Sequence, residues 1–300
     1  MDKPPVCDYE GSDYQKTFWD SGGREYEDRC EALAIRRLLP KKGRLLLEVG
    51  AGAGRNTLRY GGYERIVLLD YSLTQLQQAR ERLGGSARFL YVAANVYQLP
   101  FVTGLFDSAT MIRTLHHLAN PLLALNEVRR VLEPDAFFLL EYANKLNLKS
   151  IFRFLLGRQS WSPFSLDPVE YLPLNFDFHP VRVREWLASS GFSILRLVTV
   201  SHFRIGWIKR AVPARLLARL DFILGYTGGF LQLSPSVFLL ARTNPVGSES
   251  ESGFFQCPLC QNSDLQEIDE SGNAYLKCGN CLRLFPIRGG IYDFKESFPA

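Results

Sequence analysis

The chain has 300 residues, of which 46% are hydrophobic, and this is enough to bury a full core together with a small appended module. Its formal net charge of +4 is mild and argues only slightly for a nucleic-acid partner, because a domain dominated by phosphate contacts is usually far more basic. No apolar run reaches the length of a membrane span and no signal peptide is evident, so we expect a soluble, cytoplasmic protein with at most a peripheral membrane contact.

Apolar runs and helix-like runs alternate along the chain in the order that a doubly wound α/β sheet requires. A helical cap is predicted over residues 1–42, and the first strand begins at Leu45. Further strands are predicted at 65–70, 88–93, 106–112 and 136–143, with a last, antiparallel strand at 233–242. Helices are predicted at 73–83, 121–132 and 181–190. The fold class is therefore α/β, with one mostly parallel sheet over residues 43–243.

The most informative stretch is the run LLLEVGAGAGRN, which starts at Leu45 and ends at Asn56. It predicts a buried strand with Glu48 near its carboxyl end, followed by a turn that contains three alternating glycines. Glycine has no Cβ, so the backbone can take positive φ and contact a nucleoside-type ligand, while Asp70 closes the next apolar run and is placed for a ribose. A dinucleotide fingerprint would need glycine where Arg55 stands, and an ordinary tight strand-to-helix turn is the alternative.

This turn resembles the E/D-x-G-x-G-x-G motif of class I S-adenosylmethionine-dependent methyltransferases. The chain from Tyr14 to Arg242, with the runs VAANVYQLPF, LHH and RRVLEPD, is similar to the large group that includes ubiquinone/menaquinone C-methyltransferases and tRNA wobble-uridine methyltransferases. The resemblance implies a Rossmann-like class I methyltransferase sheet and S-adenosylmethionine as the cofactor, but it does not specify the methyl acceptor. No N-P-P-Y element follows the fourth strand at Arg113, which disfavours adenine amines and glutamine amides as acceptors.

The same resemblance implies the cofactor contacts residue by residue. Glu48 and the glycine turn would line the methionine and ribose portion, Asp70 would accept hydrogen bonds from the ribose hydroxyls, and Tyr71 would lie beside the adenine. Asn95 stands where the family usually has Asp, and its amide oxygen can still accept a hydrogen bond from an exocyclic amine. The complete predicted set is Glu48, Gly50, Gly52, Gly54, Asp70, Tyr71, Asn95, Val96 and Arg113.

Methyl transfer needs a base only when the acceptor must lose a proton. Candidate bases lie near the carboxyl ends of strands or on the loops above them, where open α/β sheets bind ligands. The candidates of this sequence are His117, Glu141 and His179. Each also has a structural interpretation, since a histidine can pack or rim a pocket and a glutamate can orient a backbone loop.

Two irregular stretches interrupt the alternation. Residues 145–180 stand where class I methyltransferases commonly build part of the substrate wall, so we predict an aromatic substrate lid there. Residues 203–232 mix large apolar side chains with arginines and predict a helical insertion with a basic amphipathic surface. Such a surface could meet a membrane or a phosphate backbone, or it could simply pack on the sheet.

A polar linker is predicted at 244–253, before a C-terminal module at 254–300. The module has two C-x2-C pairs, which match a structural zinc site with the ligands Cys257, Cys260, Cys278 and Cys281. A disulfide pair is the alternative, and Cys7 and Cys30 lack ligand spacing and are expected to be free thiols. The module resembles the small zinc-ribbon subunit that binds and activates tRNA, rRNA and release-factor methyltransferases, which implies a translation-apparatus substrate only weakly.

Together these features predict an enzyme, an S-adenosylmethionine-dependent methyltransferase that acts on a small-molecule or lipid-like acceptor. The aromatic lid and the mild net charge favour that acceptor class. The alternative is an RNA or protein methyltransferase of the translation apparatus, with the zinc ribbon as a recognition or activation module. A non-catalytic cofactor-binding scaffold is a third interpretation, which the intact glycine turn with Glu48 and Asp70 disfavours.

Overall fold

The structure is a computed structural model, and it describes residues 4–245, 252–270 and 272–299. The strands of these residues lie at Gly43–Val49 (β1), Tyr63–Asp70 (β2), Phe89–Ala93 (β3), Phe106–Met111 (β4), Leu132–Ala143 (β5), Val169–Leu172 (β6), Asn175–Asp177 (β7), Phe192–Val200 (β8), Ser236–Thr243 (β9), Leu265–Glu270 (β10), Asn273–Cys278 (β11), Arg283–Arg288 (β12), Ile291–Asp293 (β13) and Phe298–Pro299 (β14). The α-helices lie at Glu25–Leu38 (α1), Leu73–Leu83 (α2), Pro121–Val131 (α3), Leu148–Leu155 (α4), Pro180–Ser189 (α5), Gly206–Ala211 (α6) and Ala214–Leu224 (α7).

One twisted sheet forms the body of the molecule, with the neighbouring strands β3-β2-β1-β4-β5-β9-β8 in that order. The first five of these strands are parallel to one another, as the apolar runs predict. The strand β9 is antiparallel to both β5 and β8, so the predicted fold class is confirmed, including the antiparallel last strand. Because β8 is antiparallel to β9, it runs in the same direction as β5.

Helices cover both faces of this sheet, and the alternation of side chains along β1 explains why successive residues at its centre are apolar. Leu47 and Val49 point into the core that contains α3 and α5, whereas Leu46 points into the core that contains α1, α2 and α7. A strand that is buried on both faces typically has a nearly continuous run of apolar side chains. The apolar run that starts at Leu45 is therefore explained by the central position of β1 in the sheet.

The C-terminal ribbon continues the main sheet beyond β3. The strands β10, β11, β12 and β13 form an antiparallel series, and β13 then pairs in parallel with β3, with Ile291 opposite Tyr91 and Asp293 opposite Ala93. The amide of Phe294 extends this pairing by donating to the carbonyl of Ala93 at 2.8 Å. The sheet hydrogen bonds thus run from the ribbon into the centre of the fold without a break.

An aromatic cluster fills the junction between the ribbon and the rest of the sheet. Phe255 stacks on Phe101, which is fully buried, and also contacts Phe294 with ring centroids 5.1 Å apart. Of the predicted linker at 244–253, residues 246–251 lie outside the described residues. Within the described part of the chain, no helix is long and apolar enough to cross a membrane.

A buried carboxylate fastens α1 to the loops at the carboxyl edge of the sheet. Glu31 of α1 is fully buried and accepts hydrogen bonds from Arg55 at 2.6 Å and from Arg113 at 2.8 Å. Arg55 lies in the turn after β1, and Arg113 follows β4, so one side chain ties two loops to one helix. Burial alone would raise the pKa of Glu31, but the two guanidinium groups lower it to about 2.

Ionised Glu31 should therefore stabilise the folded state. Its folded-state pKa lies below that of an unfolded glutamate, so the contribution is present above about pH 5 and is lost as the pH falls towards 2. We expect Glu31→Gln to lower the free energy of unfolding by about 3 kcal/mol at pH 7 in urea titrations. The control is Glu25→Gln on the same helix, which removes an exposed partner of Arg29 and should change little. Equal effects of the two substitutions at pH 7 would contradict the role of Glu31.

Candidate functional site

A cavity lies at the carboxyl ends of β1, β2 and β4, with walls from the loops above them. In doubly wound sheets ligands bind where neighbouring strands connect to opposite sides, and β1 between β2 and β4 is such a place. The sheet and its loops contribute Glu48, Val49, Gly50, Ala51, Gly52, Ala53, Arg55, Asn56, Tyr60, Leu69, Asp70, Tyr71, Gln75, Ala94, Val96, Thr110, Ile112, Arg113, Thr114, His117 and Leu118, and the N-terminal segment contributes Val6, Cys7, Tyr9, Tyr14, Gln15 and Trp19.

The glycine turn brings bare backbone to the cavity wall. Gly50 has a φ of 70°, and a Cβ there would come within 2.1 Å of the Thr114 hydroxyl. Gly52 has a φ of 53°, and the nearest atom to a Cβ built on it would be the Gln75 amide oxygen, 3.9 Å away. Space beside Gly52 therefore belongs to the cavity, and a larger side chain would fill it. Gly54 does not line the cavity, because its Cα packs towards Leu83 of α2.

Asp70 is held at the cavity wall by the turn itself. One carboxylate oxygen accepts from the amide of Gly52 at 2.8 Å, and the other accepts from the amide of Ser72 at 3.0 Å. Burial raises the pKa of Asp70 above its usual range. Each carboxylate oxygen can accept more than one hydrogen bond, so the group keeps capacity for hydroxyl donors from a ligand.

Glu48 lies on the floor of the cavity in a nearly closed environment. Its carboxylate accepts from the Thr57 hydroxyl at 2.6 Å and from the Tyr60 hydroxyl at 3.3 Å. Burial raises the pKa of Glu48 to about 7, despite these two hydrogen bonds. A carboxylate at such a place gains most from a cationic ligand group, which would favour its charged form.

Two arginines supply positive charge to the same cavity. Arg113 has a φ of 59°, and its backbone amide donates to Glu141 at 3.0 Å while its guanidinium reaches Glu31. Arg55 lies 3.5 Å from the centroid of the Trp19 ring, which covers it. Glu48 and Arg113 thus line one cavity with opposite charges, and this fits a ligand that carries an ammonium and a carboxylate, as the methionine part of S-adenosylmethionine does.

The remaining predicted cofactor residues lie near the ends of β2 and β3. Tyr71 and Val96 line the cavity, whereas the side chain of Asn95 accepts from the amide of Tyr97 at 2.9 Å and shapes the turn after β3 without lining the cavity. The ribbon reaches this end of the site, because the ammonium of Lys295 lies 5.0 Å from the centroid of the Tyr71 ring. The C-terminal module therefore contacts one residue of the cavity wall.

The N-terminal segment, which the sequence predicts as a helical cap, closes the cavity with aromatic side chains. Tyr9, Tyr14 and Trp19 line it, and the ring of Phe18 stacks on Tyr14 with centroids 4.9 Å apart. Tyr26, in contrast, donates its hydroxyl to the buried Asp221 and packs below α7. The sequence signal for this cover is the high density of aromatic residues between positions 9 and 19. Their spacing is irregular, so it does not predict which of them line the cavity.

The three candidate bases occupy different environments. His117 lines the cavity, and its Nδ1 lies 2.9 Å from the carbonyl oxygen of Leu174, which can only accept, so the proton resides on Nδ1. Its Nε2 then accepts from the Tyr9 hydroxyl at 3.1 Å, and burial lowers the pKa of His117, which keeps the ring neutral. Glu141 is fully buried behind Arg113 and is bonded to Ser236, outside the cavity lining.

His179 is the N-cap of α5. Its Nδ1 accepts from the amide of Val181 at 3.2 Å, and its side chain does not line the cavity. The segment predicted as a lid nevertheless contacts the site, because Leu174 lies in the hairpin of β6 and β7 and its carbonyl oxygen accepts a hydrogen bond from His117. In the same hairpin, burial raises the pKa of Asp177 to about 6.

The four cysteines of the ribbon converge on one point. All four Sγ atoms lie within 4.8 Å of one another, in the cluster Cys257, Cys260, Cys278 and Cys281. The Sγ atoms of Cys257 and Cys281 are 3.6 Å apart, and those of Cys260 and Cys278 are 3.5 Å apart. Tetrahedral zinc with Zn–S bonds of about 2.3 Å places its sulfurs about 3.8 Å apart, so these residues fit a zinc ion. Cys7 and Cys30 form no disulfide and are not members of this cluster.

The central part of the chain is similar in sequence to known proteins. Residues 47–140 match the family model described as a methyltransferase domain. A demethylmenaquinone methyltransferase from Chlamydia trachomatis is 40% identical over 92 residues, which cover 30% of this chain and 40% of that protein. The ubiquinone/menaquinone biosynthesis C-methyltransferase UbiE from Roseobacter denitrificans is 31% identical over 117 residues, which cover 37% of this chain and 47% of that protein. The chain thus spans less than half the length of these curated relatives.

Solved structures share the fold over a larger part of the chain. An S-adenosylmethionine-dependent methyltransferase from Mesorhizobium loti has a TM-score of 0.54 at 20% identity, covering 72% of this chain and 99% of that one. A chain from the complex of the Haloferax volcanii Trm112 methyltransferase activator with its assigned methyltransferase has a TM-score of 0.53 at 16% identity, covering 77% and 98%. At these identities the likeness concerns the fold alone. Taken together, the comparisons show that residues 47–140 match a methyltransferase domain and that the chain shares the fold of class I S-adenosylmethionine-dependent methyltransferases.

Proposed function

We propose that the chain binds S-adenosylmethionine in the cavity above β1 and transfers its methyl group to a small-molecule or lipid-like acceptor. The observation that carries the proposal is the cavity itself, which joins the open space beside Gly52, the carboxylate of Asp70 and the opposite charges of Glu48 and Arg113. The cofactor, when bound, supplies an electrophilic methyl group on a sulfonium. The protein contributes binding and alignment, which provide much of the acceleration in such a displacement.

Each wall of the cavity has a part in holding the cofactor. Asp70 would accept hydrogen bonds from ribose hydroxyls, with Tyr71 and Val96 beside the adenine. Glu48 would face the ammonium of the methionine part, and Arg113 would face its carboxylate. Asn95 and Gly54 would act indirectly, since they shape the two turns that carry these contacts.

For an acceptor that must lose a proton, His117 is the base that we propose. It lines the cavity, it is neutral, and its Nε2 lone pair is already used to accept a hydrogen bond from the Tyr9 hydroxyl. An acceptor hydroxyl can take the place of that phenol. In this proposal Glu141 is a positioning residue for the backbone of Arg113, and His179 caps α5.

Two features support a small or lipid-like acceptor. The two curated relatives described above, which match 92 and 117 residues of this chain, are named for menaquinone or ubiquinone/menaquinone methylation. The lid between β5 and α5 is rich in aromatic side chains, and it contacts the cavity through Leu174 and His117. These side chains are Phe152, Phe154, Trp161, Phe164, Tyr171, Phe176 and Phe178.

The alternative, an RNA or protein acceptor recognised through the ribbon, rests on the ribbon and on the likeness to a chain from a Trm112 complex. We propose that the four thiolates of the ribbon bind a structural zinc ion, which leaves no open position for catalysis. Since β13 pairs with β3 and Lys295 contacts Tyr71, the ribbon packs on the main sheet beside the cavity, which gives it a structural role in this proposal. Its presence therefore gives little reason to expect a macromolecular substrate.

The acceptor class can be tested with labelled cofactor. Purified protein and methyl-tritiated S-adenosylmethionine are incubated with a host extract that is then divided into organic-soluble, RNA and protein fractions. We expect label in the organic-soluble fraction, above the level of a heat-inactivated control. Label confined to RNA or protein would establish the alternative, and cofactor binding without label in any fraction would favour a non-catalytic scaffold.

Gly52→Val should abolish cofactor binding, because the new side chain would occupy space that belongs to the cavity. Binding is measured by isothermal titration calorimetry with S-adenosylmethionine. Valine at a positive φ also strains the backbone, so the control is Gly157→Val, at a glycine with a φ of 66° and nothing within 4 Å of its added Cβ. Near-normal affinity in folded Gly52→Val protein would overturn the cofactor assignment.

Glu48 should make cofactor affinity depend on pH. With a pKa of about 7, Glu48 is mostly neutral at pH 6 and mostly charged at pH 7.5. A cationic ligand group binds the charged form better, so affinity for S-adenosylmethionine should fall roughly fivefold or more from pH 7.5 to pH 6. Glu48→Gln should bind more weakly at pH 7.5 and lose this dependence. A pH dependence that persists unchanged in Glu48→Gln would assign it to another group.

A further inference from the structure

An apolar stripe on α4 has no partner among the described residues. Leu148, Phe152, Leu155 and Leu156 follow the spacing i, i+4, i+7 and i+8, which places them on one face of the helix. Their exposed fractions lie between 47% and 68%. Helices of globular proteins normally bury such a face against a core, so this stripe is oriented towards something outside the described chain.

The helix α7 repeats the same pattern. Its opposite face packs against α1 through Leu217, Ala218 and Asp221, all of which are buried. The outward face consists of four apolar side chains at i, i+4, i+7 and i+8, with exposed fractions between 39% and 64%, namely Leu216, Leu220, Ile223 and Leu224. Beyond the helix, Phe230 is 95% exposed, and on α6 Trp207 is also exposed. We call the exposed apolar residues of α4, α6, α7 and 226–231 the apolar surface.

The parts of the apolar surface adjoin one another and the candidate site. The amide of Leu148, at the start of α4, donates to the carbonyl of Leu233 at 2.8 Å, so the chain that leaves α7 returns beside α4. The helix α4 follows the carboxyl end of β5, and α6 follows the carboxyl end of β8, which runs in the same direction. Both helical segments therefore arise from the edge of the sheet at which the cavity lies.

All exposed charge on these segments is positive. Residues 145–166 contain no aspartate or glutamate, and residues 203–235 contain only Asp221, which is buried. The exposed cations are Lys149, Arg153, Arg158, Arg210, Arg215 and Arg219. In the part of the chain that the structure describes, none of the six takes part in an ion pair, whereas most other arginines of the molecule do. Basic side chains thus accompany the apolar surface with no internal counter-charge.

We propose that the apolar surface docks on an anionic lipid bilayer. Amphipathic helices that combine exposed large apolar side chains with Lys and Arg lie in the plane of the membrane interface, with the apolar face in the acyl boundary and the cations among lipid phosphates. A nucleic acid would match the charge but leave the aliphatic stripes in water. A second copy of the chain would match the stripes but would bring six cations against six more. The bilayer satisfies both features, and this inference does not depend on methyl transfer.

The direct test is co-sedimentation of the full chain with vesicles. We expect it to bind equimolar phosphatidylglycerol and phosphatidylcholine vesicles, to bind pure phosphatidylcholine at least tenfold more weakly, and to lose affinity as salt is raised. Trp207 should report contact with the acyl boundary through a blue shift of its emission, which Trp207→Phe should remove. Protein that stays in the supernatant with anionic vesicles would overturn the proposal.

Variants then assign the binding to the two stripes. Phe152→Ser with Leu155→Ser, and separately Ile223→Ser, should each weaken vesicle binding tenfold or more while the thermal midpoint changes little, because these side chains are exposed. The matched control is Leu123→Ser, an exposed leucine on α3, which packs on the face of the sheet opposite α7. Unchanged binding of both stripe variants would contradict the proposal.

Two further measurements test whether the apolar surface binds a second copy of the chain or a nucleic acid instead of a bilayer. Light scattering at rising protein concentration would reveal a dimer that the stripe variants dissociate, and this result without vesicle binding would assign the surface to a second copy. Retention on immobilised RNA that survives in the stripe variants, again without vesicle binding, would assign the cations to nucleic acid. Either result would replace the lipid proposal.

Discussion

The buried contact of Glu31 with Arg55 and Arg113 is the constraint on which the candidate site depends. Burying a carboxylate is unfavourable unless cationic donors surround it, and here both donors come from loops at the carboxyl edge of the sheet. The contact therefore fixes α1, the glycine turn and the loop after β4 relative to one another. Arg113 is held in a left-handed conformation by a second carboxylate, Glu141, which bonds its backbone amide. These two contacts, with Glu31 and with Glu141, fix Arg113 as the positive side of the cavity wall.

At the other end of the cavity, near Tyr71, contacts with the ribbon connect a second part of the chain to the cavity wall. A module of this size buries too little apolar surface to fold on its own, and in many such modules metal binding supplies the missing free energy. Here the ribbon also shares a sheet and an aromatic cluster with the main domain, through β13 and Phe255. Order in the ribbon is thereby linked to the position of Lys295 and of Tyr71 at the cavity wall.

Local signals predicted the centre of the fold, and long-range packing decided the rest. The continuous apolar runs identified β1, β2 and β4, and helical spacing placed α2 at Leu73–Leu83, the bounds that the structure has. The strand β8 was not predicted, because most of its first half is exposed and lacks a regular apolar pattern. The sequence also did not predict that β13 pairs in parallel with β3, or that the Tyr9 hydroxyl contacts His117. Both contacts join segments that are far apart in the chain, and no local pattern encodes them.

The position of the lid connects the two surfaces of the molecule. The hairpin of β6 and β7 holds His117 through the carbonyl of Leu174, and α4, which precedes that hairpin, carries the first stripe of the apolar surface. Binding of α4 to a bilayer would therefore involve the same insertion whose Leu174 contacts His117 at the cavity. An apolar acceptor dissolved in the bilayer would then enter from the side on which the protein is docked, with no need to cross water. If both proposals hold, the insertion between β5 and α5 would face the acceptor on one side and the bilayer on the other.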